Sequence, residues 1–182
     1  MYFDGATNQS GFGIGILLIS PQGDHIPISV RLAFSDHHRL TNNIVEYEAC
    51  ITSLETMLDL GVRQLEIHGD SNLVIQQTQG IWRTRDEKLK PYHAYLDLLA
   101  DRFKELRYIH LPRVENQFVD MLATLASMIE IIAGVTVRPL LILDASMASV
   151  PPSNTVGFGQ ELVVSSFAEK VVCPLQEMTF VG

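Results

Sequence analysis

The sequence predicts an α/β fold, a mixed five-stranded sheet flanked by helices that opens with an antiparallel three-stranded meander. Three observations predict it. Strand patterns joined by turn residues crowd the first 32 positions. Helical periodicity and short apolar runs then alternate as far as Met128, and glycine or asparagine marks several junctions.

The elements follow in order. A first strand carries Asp4 behind the apolar Tyr2-Phe3. Gly11 to Ser20 is apolar through Ile14, Ile16, Leu17, Leu18 and Ile19, and Pro21-Gln22-Gly23-Asp24 has the residue types of a turn. Ile26, Ile28, Val30 and Leu32 then recur with period two, the mark of a strand with one buried face. Between Ile44 and Leu60 the residues Ile44, Tyr47, Ile51, Leu54 and Leu58 are spaced by three and four, so a helix is expected, with Gly61 ending it. A strand Gln64 to His68 follows, placing Asp70 just past its carboxyl end, where ligands gather in open α/β sheets. The remaining expectations are a short helix Ser71 to Gln79, a basic loop through Lys90, a helix from about Tyr92 to Leu106, a strand Tyr108 to Leu111 and a last helix Glu115 to Ile129.

Four carboxylates stand in recognisable surroundings: Asp4 in Phe3-Asp4-Gly5, Glu46 after Thr41-Asn42-Asn43, Asp70 in Gly69-Asp70-Ser71, and Asp120 four residues after Asn116. Separated acids that a fold brings together can hold hard divalent cations, which prefer oxygen ligands. Two such cations about 4 Å apart suit in-line phosphodiester displacement. Each acid also has an ordinary explanation. Asp4 fits a turn before Gly5, Asn43 and Glu46 fit a helix capping box, Asp70-Ser71 fits a helix cap, and Asp120 fits a solvated helix face beside Asn116. Their joint occurrence favours a site.

The order and neighbourhoods of these acids resemble ribonuclease H of type 1, and in particular the ribonuclease H domain of polyproteins of plant gypsy-class LTR retrotransposons. The resemblance runs from Tyr2 to about Met128. Its stretches are Phe3-Asp4-Gly5-Ala6 with Gly11, Gly13 and Gly15, Ser20 to Gly23, Thr41 to Asn43 through Glu46 to Ala49, Gly69 to Ser71 with Leu73-Val74 and Gln76-Gln77, and Pro112-Arg113 through Asn116, Asp120 and Leu122-Ala123. It implies a ribonuclease H-like sheet and hydrolysis of the RNA strand of RNA–DNA hybrids. It further implies two Mg²⁺ ions, with Mn²⁺ as a substitute. Asp4 would bridge both ions, Glu46 and Asp70 would complete one ligand set, and Asp120 would help hold the ion that serves the attacking water. Gly5, Ala6, Asn42, Asn43, Ser71, Arg113 and Asn116 are the expected nucleic-acid contacts near these acids. Selectivity for RNA would come from reading the 2′-hydroxyl.

A further nucleic-acid candidate is Trp82-Arg83-Thr84-Arg85, in a run that ends at Lys90 and has Asp86 and Glu87 inside it. Cations beside an aromatic suit phosphate and sugar contacts to the DNA strand; a solvated loop is the alternative. Cellular type 1 enzymes usually carry a histidine in the loop before the last acidic helix. Here that loop reads Leu111-Pro112-Arg113-Val114-Glu115, which suggests a subclass. Only three residues precede Asp4, predicting a short central strand and marginal stability.

The 182 residues, 47% of them hydrophobic and 19% charged, suit one folded domain with an extension. The net charge is −8, and residues 1–128 hold 11 Lys+Arg against 16 Asp+Glu, so modest, salt-sensitive binding to a polyanion is expected. Two cysteines, Cys50 and Cys173, give neither a disulfide framework nor a thiolate metal cluster and favour a reducing intracellular compartment, cytoplasmic or nuclear. Met1 leads directly into the first motif, so no secretion signal is expected. The apolar stretch Ile129 to Leu143, interrupted by Glu130 and Arg138-Pro139, is too short to span a bilayer.

Residues 1–128 are therefore read as the domain and residues 129–182 as a poorly ordered connection and linker, with a weak strand-like run at Leu162 to Val164. The chain is expected to act as a monomer, alongside reverse transcriptase and integrase domains if it derives from such a polyprotein. A catalytically inactive nucleic-acid-binding remnant, or another enzyme of the same superfold, are the competing readings.

Overall fold

The computed structural model describes residues 1–33, 41–129 and 169–173. Strands β1 (Tyr2–Asn8), β2 (Gly11–Ile19) and β3 (His25–Ala33) form the expected antiparallel meander. Helix α1 (Asn42–Asp59) leads to β4 (Gln64–Gly69), which pairs parallel to β1. Helices α2 (Asn72–Thr78) and α3 (Lys90–Ala100) precede β5 (Glu105–His110), parallel to β4, and α4 (Gln117–Met128) closes the domain.

All five predicted strands are present. A sixth, β6 (Glu169–Cys173), pairs antiparallel with β3, giving the order β5-β4-β1-β2-β3-β6. That addition was not expected of the tail, because pairing at a sheet edge is a non-local event that a five-residue run does not announce. The strand-like run Leu162 to Val164 lies outside the described residues, as does nearly all of the expected linker.

Some boundaries differ from expectation. The helix predicted through Leu106 ends at Ala100, and the following strand starts at Glu105. Leu99, Phe103 and Leu106 keep a helical spacing, but the backbone N–H groups of Lys104 and Glu105 both donate to the Arg63 carbonyl, and Glu105 pairs with Gln64. The parallel ladder outweighs the local period. The last helix likewise begins two residues later than expected, after a 3-10 turn at Arg113–Glu115.

As expected, few strand residues precede Asp4: only Tyr2 and Phe3 of β1 do. β1 runs seven residues, pairs with β2 from Tyr2 to Asn8, and continues past Asp4 rather than before it.

The pleat divides the sheet's two faces. Phe3, Ile14, Ile16 and Val30 join Val45, Ile51, Leu54, Ile67 and Leu96 in one buried core beneath α1 and α3. The other face is small and polar: Gly13, Gly15, Ser29 and Arg31 receive α4. A Cβ on Gly15 would lie 2.2 Å from the Val119 carbonyl oxygen, and one on Gly13 2.1 Å from that of Ala123. Helix backbone therefore rests directly on β2. Ser29 Oγ donates to the Leu122 carbonyl at 2.7 Å, and Arg31 Nη1 donates to the Ser127 carbonyl. This contact fixes where α4 presents Asp120.

Candidate active site

Asp4 reaches the site from the middle of the sheet and is almost fully buried. Its Oδ1 accepts the Gly5 N–H at 2.8 Å. A Cβ on Gly5 would stand 2.8 Å from the Val45 carbonyl oxygen, so glycine lets β1 and the first turn of α1 meet. That approach brings Glu46, also buried, beside Asp4. Asp70 follows the end of β4. One carboxylate oxygen from each of Asp4, Glu46 and Asp70 lies within 4.8 Å of the others.

The ordinary explanations for Asp4, which lies inside β1, and for Glu46 and Asp70 do not fit. Thr41, not Asn43, is the N-cap of α1, and it makes no side-chain capping bond. Ser71 caps α2, with its Oγ accepting the Val74 N–H, while Asp70 is turned to the site. Asp70 Oδ1 accepts from Asn116 Nδ2 at 3.2 Å, and the same nitrogen donates to the Phe3 carbonyl at 3.0 Å. Asp120 lies near enough for its charge to help raise the Asp4 carboxyl, and its Oδ1 accepts from Arg113 Nη2 at 3.4 Å.

Electrostatics mark the cluster as strained without a cation. Burial pushes the Asp4 carboxyl up to about 7, helped by the charges of Asp70 and Asp120 and opposed by the Gly5 N–H. Burial first, then Asp4 and Asp70, raises Glu46 well above the usual carboxylate range. Buried acids held together in this way are characteristic of functional sites. Among the described residues, buried Glu46 Oε2 has no hydrogen-bond partner, while Oε1 accepts from Asn42 Nδ2 at 3.4 Å. An all-oxygen donor set with an unpartnered buried oxygen fits a hard divalent cation.

The pH consequence has a definite sign. A raised Asp4 value means that the folded, metal-free protein holds a proton the unfolded chain has released between pH 3.8 and about 7. Its stability therefore falls as pH rises through that window. A divalent cation should remove the penalty, so the melting temperature gained on adding Mg²⁺ is expected to grow from pH 5 to pH 8. Differential scanning fluorimetry across that range, against the same scan with Na⁺ at equal ionic strength, would show it; a pH-independent gain would refute it.

The other expected contacts distribute unevenly. Asn42 and Asn43 are exposed at the start of α1, Ser71 and Ala6 are partly exposed, and Arg113 is exposed beside Asp120. Gly5 is buried and contributes its N–H to the acids rather than an open surface. Asn116, expected as a nucleic-acid contact, is fully buried. It instead ties Asp70 to the carbonyl of the residue before Asp4, a role its spacing from Asp120 could not reveal. Trp82, Arg83 and Arg85 are exposed on the loop between α2 and α3.

The comparisons with known proteins agree with this geometry. The family described as "Reverse transcriptase-like" matches residues 2–126. A solved ribonuclease H1 from Halobacterium salinarum is 34% identical, covering 69% of this chain and 93% of that one with a TM-score of 0.62. The chain belongs to the reverse transcriptase-like family and has the ribonuclease H fold.

Among curated relatives of this ribonuclease H-like domain, the Ribonuclease HI of Halobacterium salinarum is 36% identical over 124 residues, 67% of this chain and 60% of that protein. The Mycobacterium tuberculosis Bifunctional protein Rv2228c is 33% identical over 85 residues, 23% of its length. The chain thus spans about 60% or less of these relatives. A further solved structure, LC11-RNase H1 in complex with an RNA/DNA hybrid, is 27% identical with a TM-score of 0.59, covering 68% of this chain and 91% of that one.

Proposed function

We propose that the domain is a divalent-metal-dependent endonuclease that hydrolyses the RNA strand of RNA–DNA hybrids. The observation that carries this reading is the convergence of Asp4, Glu46 and Asp70 within 4.8 Å, with Asp120 against Asp4. Asp4, Glu46 and Asp70 would hold one cation, and Asp4 with Asp120 a second, of the Mg²⁺ or Mn²⁺ class. When bound, such cations supply Lewis-acid stabilisation of the attacking and leaving oxygens of an in-line displacement.

The chain's own groups do the rest. The Gly5 N–H and Asn42 orient the Asp4 and Glu46 carboxylates, and Asn116 orients Asp70. Asn42 and Asn43, exposed beside Glu46, are placed to read the 2′-hydroxyls that distinguish RNA. Arg113 offers a guanidinium next to Asp120 for a backbone phosphate. Arg83 and Arg85, which have no carboxylate partner among the described residues, suit the phosphates of the DNA strand. A relative solved with an RNA/DNA hybrid supports the substrate class. The motif pattern and the family's description support an origin in a gypsy-class LTR retrotransposon polyprotein, in which reverse transcriptase and integrase domains would be neighbours.

The test is cleavage of a labelled RNA–DNA hybrid in Mg²⁺ and in Mn²⁺, with EDTA and Asp70→Asn as controls and duplex RNA and duplex DNA as competing substrates. Hybrid-specific cutting that both controls abolish is expected. Folded protein that binds hybrid and cuts it in neither metal would overturn the reading in favour of a binding remnant.

A further inference from the structure

Helix α4 is apolar on two sides. Val119, Leu122, Ala123 and Ala126 are buried, whereas Phe118, Met121 and Met128 are 47%, 53% and 56% exposed, and Leu125 between them is partly exposed. The outer four recur at spacings of three, four and three, so they line one stripe along the helix. Val114, in the 3-10 turn four residues before Phe118, is exposed as well. Of the eight large apolar side chains exposed among the described residues, four thus belong to this helix and the turn before it. A helix that is apolar on both sides is suited to burial on both. The sheet covers only one, and it does so with Gly13, Gly15, Ser29 and Arg31, which offer few apolar side chains.

What covers the other side follows from how the chain leaves and returns. At the end of α4, Arg31 Nη1 donates to the Ser127 carbonyl. The chain re-enters at Glu169 opposite Ala33, and Val171 stands opposite the same Arg31. Residues 130–168 therefore start and finish at one corner of the sheet. These 39 residues have no net distance to bridge, and their reach of about 130 Å far exceeds the length of α4, about 18 Å. Nine of the 13 residues from Ile131 to Leu143 are Ile, Leu, Val or Ala, and only Arg138 is charged. Attached just past Met128, this run meets the stripe at an effective concentration on the order of mM, above that of a second copy in dilute solution.

We infer that residues 131–143 fold back along α4 and cover the stripe from Phe118 to Met128, so that the helix carrying Asp120 is held from both sides. The docking surface is the outer side of α4, and its occupant is an apolar segment of the same chain. The inference goes beyond the hybrid-cleaving reading and does not depend on it.

The first experiment places the photo-crosslinker p-benzoylphenylalanine at position 118 of the full chain. Position 118 lies about 15 Å along the helix from Met128, so an adduct with residues 131–143 requires the chain to turn back. Mass-spectrometric mapping is expected to find the adduct within residues 131–143, at monomer mass. An adduct at dimer mass would make the occupant a second copy. That result, an adduct elsewhere, or no adduct would overturn the inference.

The second experiment compares the melting temperatures of Phe118→Gln/Met121→Gln, Leu140→Asp/Leu141→Asp and the variant with all four changes. Each pair is expected to lower the melting temperature by about 4 °C or more. The fourfold variant should fall no further than the worse pair, because both pairs remove the same contact. Fully additive losses would show that the two surfaces do not meet. Unchanged stability of Phe118→Gln/Met121→Gln would show that the stripe already lies in water. Either result overturns the inference.

Discussion

Asp4→Asn is expected to reduce hybrid cleavage by at least about 10³-fold while raising the thermal stability of the metal-free protein. The loss follows from position. Asp4 is the acid that the other three surround, and the stabilisation that cations give a phosphoryl displacement amounts to several kcal/mol, at about 1.4 kcal/mol per tenfold in rate. The gain follows from the same position. Burial and the charges of Asp70 and Asp120 hold the Asp4 carboxyl up at about 7 instead of 3.8, a difference worth about 4 kcal/mol at neutral pH by the usual conversion of 1.36 kcal/mol per unit. An amide has no charge to bury, and it can still lie beside the Gly5 N–H. A rise of about 5 °C or more in melting temperature at pH 8 in EDTA is expected, shrinking toward pH 4 as the wild-type carboxyl takes up its proton. Wild-type stability matching or exceeding that of the variant at pH 8 in EDTA would show that the acids are not under mutual strain. The stability curve of Asp4→Asn should also be the flatter of the two between pH 4 and pH 7.

The second large effect concerns a residue with no side chain. Gly15→Ala places a methyl group 2.2 Å from the Val119 carbonyl oxygen and 2.8 Å from the Ala123 nitrogen, and neither is a flexible side-chain end that can swing aside. Helix α4 must shift as a body, and Val119 immediately precedes Asp120. Overpacking of this kind typically costs about 1–3 kcal/mol, and a clash with backbone belongs at the upper end. Urea denaturation should show a loss of about 3 kcal/mol. Cleavage by the fraction that remains folded should fall at least about tenfold, because a displacement near 1 Å at a reacting group is costly even where the acids are intact. Unchanged activity with lowered stability would separate α4 packing from the site and show that Asp120 tolerates the movement.

Both expectations depend on how distant parts of the chain are held together, and the sequence exposes those parts unevenly. The acids were legible because their short motifs, glycine after Asp4, asparagines before Glu46, serine after Asp70, occur together in an order that resembles a known family; alone, each also fitted a cap, a turn or a solvated face. The meander was legible from period-two alternation and a turn of characteristic residues. Gly13 and Gly15 were visible as part of a motif, but nothing along the chain said that α4 would rest on them. Asn116 reads as a polar residue one helical turn from Asp120, and only its burial against Phe3 and Asp70 shows it to be an internal strut. The end of α3 was misplaced because Leu99, Phe103 and Leu106 satisfy a helix, while the partner that made β5 a strand is β4, about 40 residues earlier.

By itself, then, the sequence determined the order of the five central strands and their helices, the four carboxylates, and the chemical class of ion they suit. These are properties of side-chain type and local period. The tertiary structure decided that three of the acids meet within 4.8 Å, that Asn116 and Gly5 serve the site from inside, and that β6 extends the sheet. The physical reason is common to all of these. Each depends on contacts between residues far apart in the chain, whose free energy comes from burial and from hydrogen bonds completed only when the layers close.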